Sequence, residues 1–155
     1  MNQKPDITPR PQQFTGIPGI DTQHKELMKQ FTVLLDHLCG KDPSAEFVDK
    51  ALQKIAESFK DHFATEESLM EMIGFTGIEN HKKQHEKLNK QVADAAAAIK
   101  KSKKLKMINI ICAIREAEEE HASVYDIEYA THIETLMAFR QQYNITAVKA
   151  QVLTK

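Results

Sequence analysis

Between residues 62 and 86 the chain reads HFATEESLMEMIGFTGIENHKKQHE. His62 and Glu66 stand four apart, and so do His81 and His85. Residues four apart on a helix lie one above the other on the same face. Each pair can therefore aim two ligand atoms at one point. Imidazole and carboxylate together suit Fe, Zn, Mn or Cu. Two such pairs in tandem, with His24 upstream and His121 downstream, point to a metal centre.

The elements that must position these side chains are legible from the apolar spacing. Residues 1–13 are polar and rich in Pro, and read as a mobile leader. Phe14 and Ile17 are expected to dock an extended approach on the core. Asp21 or Thr22 then opens a first helix with the stripe Ile20, His24, Leu27, Phe31, Leu34 and Leu38. Its four–three steps are those of a helix packed in a bundle. The helix stops near Gly40, and Asp42-Pro43 reads as the cap of the second. That helix carries Val48, Leu52, Ile55, Phe59, His62, Glu66, Leu69 and Ile73 on one seam and ends at Gly74. The third carries Ile78, His81, His85, Leu88, Val92, Ala95 and Ile99. The fourth, after Ser102, carries Met107, Ile111, Ile114, Glu118, His121 and Tyr125. Short connections make this an all-α, up-down-up-down four-helix bundle over residues 14–130. Residues 131–155 form a C-terminal helical extension. Its stripe, Tyr125, Tyr129, His132, Leu136, Phe139 and Tyr143, either packs back on the bundle or pairs two copies as a homodimer.

The composition of the 155 residues narrows the function classes. A net charge of −1 offers no electrostatic case for nucleic acid or an anionic membrane surface. The Lys run at 100–106 reads as a solvated turn. There is no apolar span of membrane length and no signal peptide. Cys39 and Cys112 are too few for a disulfide framework and read as small buried hydrophobes, so the expected compartment is a reducing cytoplasm. His37 and His132 lie off the converging set and read as structural.

His24, His62, His81, His85 and His121, with Glu66, exceed what one four-coordinate site takes. With Asp126 added, seven ligands suit two metals bridged by carboxylates. By spacing alone Asp126 is the hardest to place. Five residues turn about 500° on an ideal helix, so it needs a distortion or a helix end after His121.

The combined pattern resembles the bacterial hemerythrins. It runs IPGIDTQH (17–24), HFATEESLM (62–70), His81-x-x-x-His85 and His121-x-x-x-x-Asp126. The resemblance spans residue 14 to about residue 130. It implies a non-haem di-iron centre with an oxygen bridge. His81, His85 and His121 would saturate one iron, His24 and His62 would hold the other, and Glu66 and Asp126 would bridge them. The second iron would keep an open position for O2, to which each ferrous ion supplies one electron.

The chain departs from that family in the fourth helix. Where the family carries Trp-Leu-x-x-His, this chain has Ala117-Glu118-Glu119-Glu120-His121, and it contains no Trp. Glu118 stands three residues before His121 where an apolar pocket wall is expected. Three readings are open for it. It ligates the open iron, it stays unbound as a proton donor with a raised pKa, or it turns to solvent. Phe75-Thr76 replaces the family's Tyr-Pro in a turn. Phe63, Met28, Ile114 and Met70 are candidate pocket walls. The resulting expectation is an O2-binding protein for carriage, storage or sensing, rather than an enzyme. Its alternatives are a di-iron oxidase or peroxidase, an iron-handling protein, and a structural bundle with a Zn or Mn pair.

Overall fold

The structure, a computed structural model, describes residues 14–40 and 44–143. Five helices account for most of them: α1 (Pro18–Cys39), α2 (Ala45–Ile73), α3 (Ile78–Ile99), α4 (Lys104–Val124) and α5 (Asp126–Gln142). No strand occurs among the described residues. Helices α1 to α4 close a ring in which each packs on its two neighbours, and α5 packs on α4. This is the expected up-down-up-down bundle. No described helix is long and apolar enough to cross a membrane.

Along each seam the packing changes character within one turn. His24 gives way to Leu27 and Phe31 on α1, and Phe59 and Ile55 precede His62 on α2. His85 gives way to Leu88 and Val92 on α3, and Ile111 and Ile114 precede Glu118 on α4. One part of the bundle is thus a continuous apolar core and the other a buried polar cluster. Apolar burial at roughly 25 cal/mol per Å² stabilises the first part and holds the second in place.

Several helix ends differ from their sequence-based placement. The first helix starts at Pro18, three residues before Asp21, because Pro suits the first turn where its missing N–H costs nothing. Asp21 instead reaches back. Its Oδ1 accepts from Thr15 N at 2.7 Å and Thr15 Oγ1 at 2.9 Å, and its Oδ2 accepts from Gly16 N at 3.1 Å. Thr15 is therefore the buried residue of the approach, while Phe14 is exposed beneath Lys25 and Ile17 is half-buried. The N-cap of α2 is Ser44, whose Oγ accepts from Phe47 N at 3.3 Å; Asp42-Pro43 lies outside the described residues. Gly74 ends α2 as expected, with φ +66°, a left-handed conformation that Gly adopts without strain. Met70 rather than Leu69 takes the buried place before that end. Cys39 is exposed and Cys112 only half-buried, and both are free thiols, so neither is the buried hydrophobe expected.

The leader 1–13 and residues 144–155 of the extension lie outside the described residues. Within α5, Tyr129 is fully buried and His132 sits over the α2–α3 turn, Nε2 at 3.4 Å from Ile73 O. Leu136, Phe139 and Tyr143 are exposed.

Candidate metal centre

All five seam histidines, Glu66, Asp126 and Glu118 are buried. They gather into two groups that share Glu66: Glu66, His81, His85 and His121, and His24, His62, Glu66 and Asp126. Within each group the ligand atoms lie within 4.8 Å of one another. Helix periodicity explains the convergence. His62 and Glu66 rise on one face of α2, and His81 and His85 on one face of α3. His24 enters early on α1 and His121 leaves late on α4, and antiparallel packing brings both to the same level.

The two carboxylates each face both groups. Glu66 Oε2 lies 3.0 Å from His85 Nε2, 3.5 Å from His81 Nε2 and 3.9 Å from His121 Nε2. Its other oxygen, Oε1, lies 3.6 Å from His62 Nε2. Asp126 Oδ1 is 3.1 Å from His121 Nε2 and 3.3 Å from His81 Nε2, while Oδ2 is 3.1 Å from His24 Nε2. Neighbouring ligands on one octahedral ion, at bonds of about 2.1 Å, stand about 3 Å apart.

These contacts are aimed at common points rather than at each other. Nε2 of His24, His62, His81 and His121 and both oxygens of Asp126 have no hydrogen-bond partner among the described residues, although all are buried. An unpaired buried polar atom costs roughly 1–3 kcal/mol. A cluster of them is strongly unfavourable unless cations fill the points between. The donor set of imidazoles and carboxylates fits iron.

The break between α4 and α5 brings Asp126 in. The last turn of α4 closes with Tyr125 N donating to His121 O at 2.8 Å, and Glu128 N then donates to Tyr125 O at 3.1 Å, a tighter step. This is the distortion that the His121–Asp126 spacing requires. Asp126 also opens α5, where a negative charge is favoured by the helix dipole.

With the chain's own charges alone, the cluster is strongly polarised. Burial pushes both carboxyls up, as does Glu66 for Asp126. The facing imidazoles overcome this and hold both well below the usual carboxylate range. Burial pulls His121 down, but Asp126 and Glu66 raise it to about 10. His62, dominated by burial, falls to about 4. His24 and His81 are raised by their carboxylate contacts against the pull of burial.

Glu118 does not turn to solvent, because α4 faces it inward at 0% exposure. Its Oε1 lies 3.8 Å from His62 Nε2 and 4.0 Å from His24 Nε2, and neither oxygen has a partner among the described residues. Burial pushes its carboxyl up to about 7, partly offset by His121 and His24. It belongs to neither compact group, but stands against the pair of histidines on one side of the centre.

Three supporting residues were not expected at the centre, although spacing had put Tyr129 on the stripe of the extension. Tyr129 Oη donates to Glu66 Oε1 at 2.6 Å, and burial together with Glu66 drives its phenol far above the ordinary range. Gln23 Oε1 lies 3.0 Å from His62 Nδ1, and Glu67 Oε1 lies 2.8 Å from His85 Nδ1. Both adjoin ligand candidates in the sequence, the one signal that marked them. Phe63 stacks on His85 with ring centroids 3.9 Å apart, and Met28, Ile114 and Met70 are buried, as candidate walls should be. His37, stacked on Phe47, and His132 stand away from the cluster.

Known proteins are similar to this chain in sequence. The family model of the hemerythrin HHE cation binding domain matches residues 15–142. A bacteriohemerythrin of Pseudomonas paraeruginosa is 35% identical over 80 residues, 52% of this chain and 51% of its own length. One of Aquifex aeolicus is 32% identical over 97 residues, 63% of this chain and 72% of that protein. A myohemerythrin of Sipunculus nudus is 37% identical over 67 residues, 43% of this chain and 49% of its own. The chain thus spans about half the length of the Pseudomonas relative. No solved structure matches significantly. With its helices, its buried His and carboxylate cluster and this match in hand, the chain belongs to the hemerythrin family.

Proposed function

We propose that the chain holds two iron ions in this centre and engages O2 at the ion flanked by His24 and His62. The observation that carries the reading is the division of the carboxylates. Glu66 and Asp126 each turn one oxygen to the three-histidine group and the other to the two-histidine group. That division suits two cations and is superfluous for one. The iron pair, when bound, supplies two electrons to O2. His81, His85 and His121 would fill one ion's positions, with Glu66 and Asp126 bridging. His24 and His62 would leave the other ion a free side, toward Glu118. Phe63, packed on His62, His85 and His121, would form one apolar wall, with the buried Met28, Ile114 and Met70 as further candidates, and together they would exclude water.

The leading role is O2 carriage, storage or sensing. Its compartment would be the cytoplasm, which the free thiols of Cys39 and Cys112 support. A second copy would pair through the exposed half of α5. A second reading, a redox enzyme of oxidase or peroxidase type or an iron-handling protein, is favoured by Glu118. A buried carboxyl whose oxygen faces His24 and His62, and whose acid form burial favours, could give up a proton there or occupy the free side itself.

Anaerobic titration of the diferrous protein with O2, beside Glu118→Leu, separates the two. A visible band that fades when O2 is removed and returns when it is restored supports carriage or sensing. Immediate oxidation with release of hydrogen peroxide, slowed by Glu118→Leu, supports the redox reading. A protein that binds iron but consumes no O2 in either form would contradict both.

A further inference from the structure

The five histidines direct Nε2 into the centre, but what stands behind each ring differs. Nδ1 of His24, His81 and His121 has no hydrogen-bond partner among the described residues. His62 Nδ1 meets a neutral amide, Gln23, whose Nε2 is itself tied to Thr65 Oγ1 at 3.1 Å. His85 alone meets a carboxylate, Glu67 Oε1 at 2.8 Å. The ring between them is fixed on its face by Phe63, at an interplanar angle of 10°. Glu67 follows Glu66 on α2, and its side chain is 31% exposed, so it spans from solvent to a buried ring. Beside it, Lys82 and Glu71 join the same two helices at 3.0 Å.

We propose that Glu67 is a positioning residue that makes the three-histidine position the tighter of the two metal positions. This rests on the paired-metal reading above. By accepting the Nδ1–H, Glu67 fixes His85 in the tautomer whose Nε2 lone pair faces the centre. Its negative charge also makes the imidazole a stronger donor, as carboxylates behind metal-bound histidines do. Gln23 fixes the tautomer of His62 in the same way but adds no charge. The two halves of the centre therefore differ in what stands behind their rings, a carboxylate at His85 and a neutral amide at His62, and the metal at His81, His85 and His121 binds first.

The test is titration of the metal-free 155-residue chain with Co(II), followed by its visible absorption and by competition with a chelator. Beside the wild type stand Glu67→Gln, Glu67→Ala and Gln23→Ala. Glu67→Gln keeps an acceptor but removes the charge. The expected result is two binding steps in the wild type. The tighter step weakens about 10-fold in Glu67→Gln and up to about 100-fold in Glu67→Ala, while the weaker step moves little. In Gln23→Ala the weaker step should move instead. Proton spectra of the Co(II) protein should show a shifted, slowly exchanging His Nδ1–H that is lost in Glu67→Ala. Equal weakening of both steps, or a tight step unchanged in Glu67→Gln, would overturn the proposal. A wild type that binds a single Co(II), weakened by Glu67→Gln, would overturn the paired-metal reading and leave Glu67's role standing.

Discussion

Glu118 puts a carboxyl group where the rest of the family pattern leads one to expect an apolar wall, and its energetics can be tested without metal. Its folded pKa of about 7 lies above its ordinary value of 4.5, so the native state holds this proton more tightly than the unfolded chain. The stabilisation is fully present below about pH 4.5 and is lost as pH rises through about 7. A shift of this size corresponds to about 3 kcal/mol. In chemical denaturation of the metal-free protein, the stability of wild type relative to Glu118→Gln should therefore fall by roughly that amount between pH 4.5 and pH 8. His62, lowered to about 4, acts in the opposite sense, losing stability as pH falls from about 6.5. Tyr129 offers a second test at this scale. Tyr129→Phe removes the donor to Glu66 and should destabilise the protein by roughly 1.5–3 kcal/mol, measured by urea titration. The clustering of the histidines and Glu66 was legible in the sequence because helical spacing repeats their positions. The bonds of Tyr129, Gln23 and Glu67 to the cluster were not, although Tyr129 lay on the predicted stripe, because a hydrogen bond between side chains leaves no periodicity of its own.

At the scale of elements, the bundle was readable because each seam keeps its four–three rhythm straight through the polar cluster. The ends of the helices were less so. Asp21 looked like a starting residue, yet it serves the start from inside the first turn by gathering Thr15 and Gly16. Asp42-Pro43 drew attention away from Ser44, one residue on, which makes the cap. Ser44→Ala should cost about 1 kcal/mol through the loss of that bond. Gly74→Ala should cost about 1–2 kcal/mol, because its backbone is left-handed while nothing crowds the position. Thermal unfolding of the two variants checks both. Neither lies in the metal cluster, so iron content should be unchanged. The break between α4 and α5 was foreseeable only as a requirement. Spacing said that Asp126 must be brought round by some distortion, but not that Tyr125 would carry it.

Over the whole molecule, an apolar core in one part of the bundle holds a polar cluster that the described residues leave short of partners. Metal and fold should therefore be strongly linked. Removing iron with a chelator should lower Tm, and restoring Fe(II) should recover it in proportion to ln(1 + [Fe]/Kd). His121, raised to about 10, carries a proton at neutral pH that metal must displace. Uptake of Fe(II) should accordingly release protons, and affinity should rise with pH, which anaerobic calorimetry in buffers of different ionisation enthalpy would record. The fold's overall organisation followed from composition and seams, whereas the exposed half of α5 did not. Its stripe reads the same before and after His132, and only the end of the bundle decides where cover stops.

The most direct measurement is a crystal structure of the iron-loaded protein with anomalous diffraction at the iron edge. Two iron peaks per chain are expected, with Glu66 and Asp126 each lying between them, one oxygen to each. A single iron peak, or two with Glu66 bound to one ion only, would contradict the paired-metal reading.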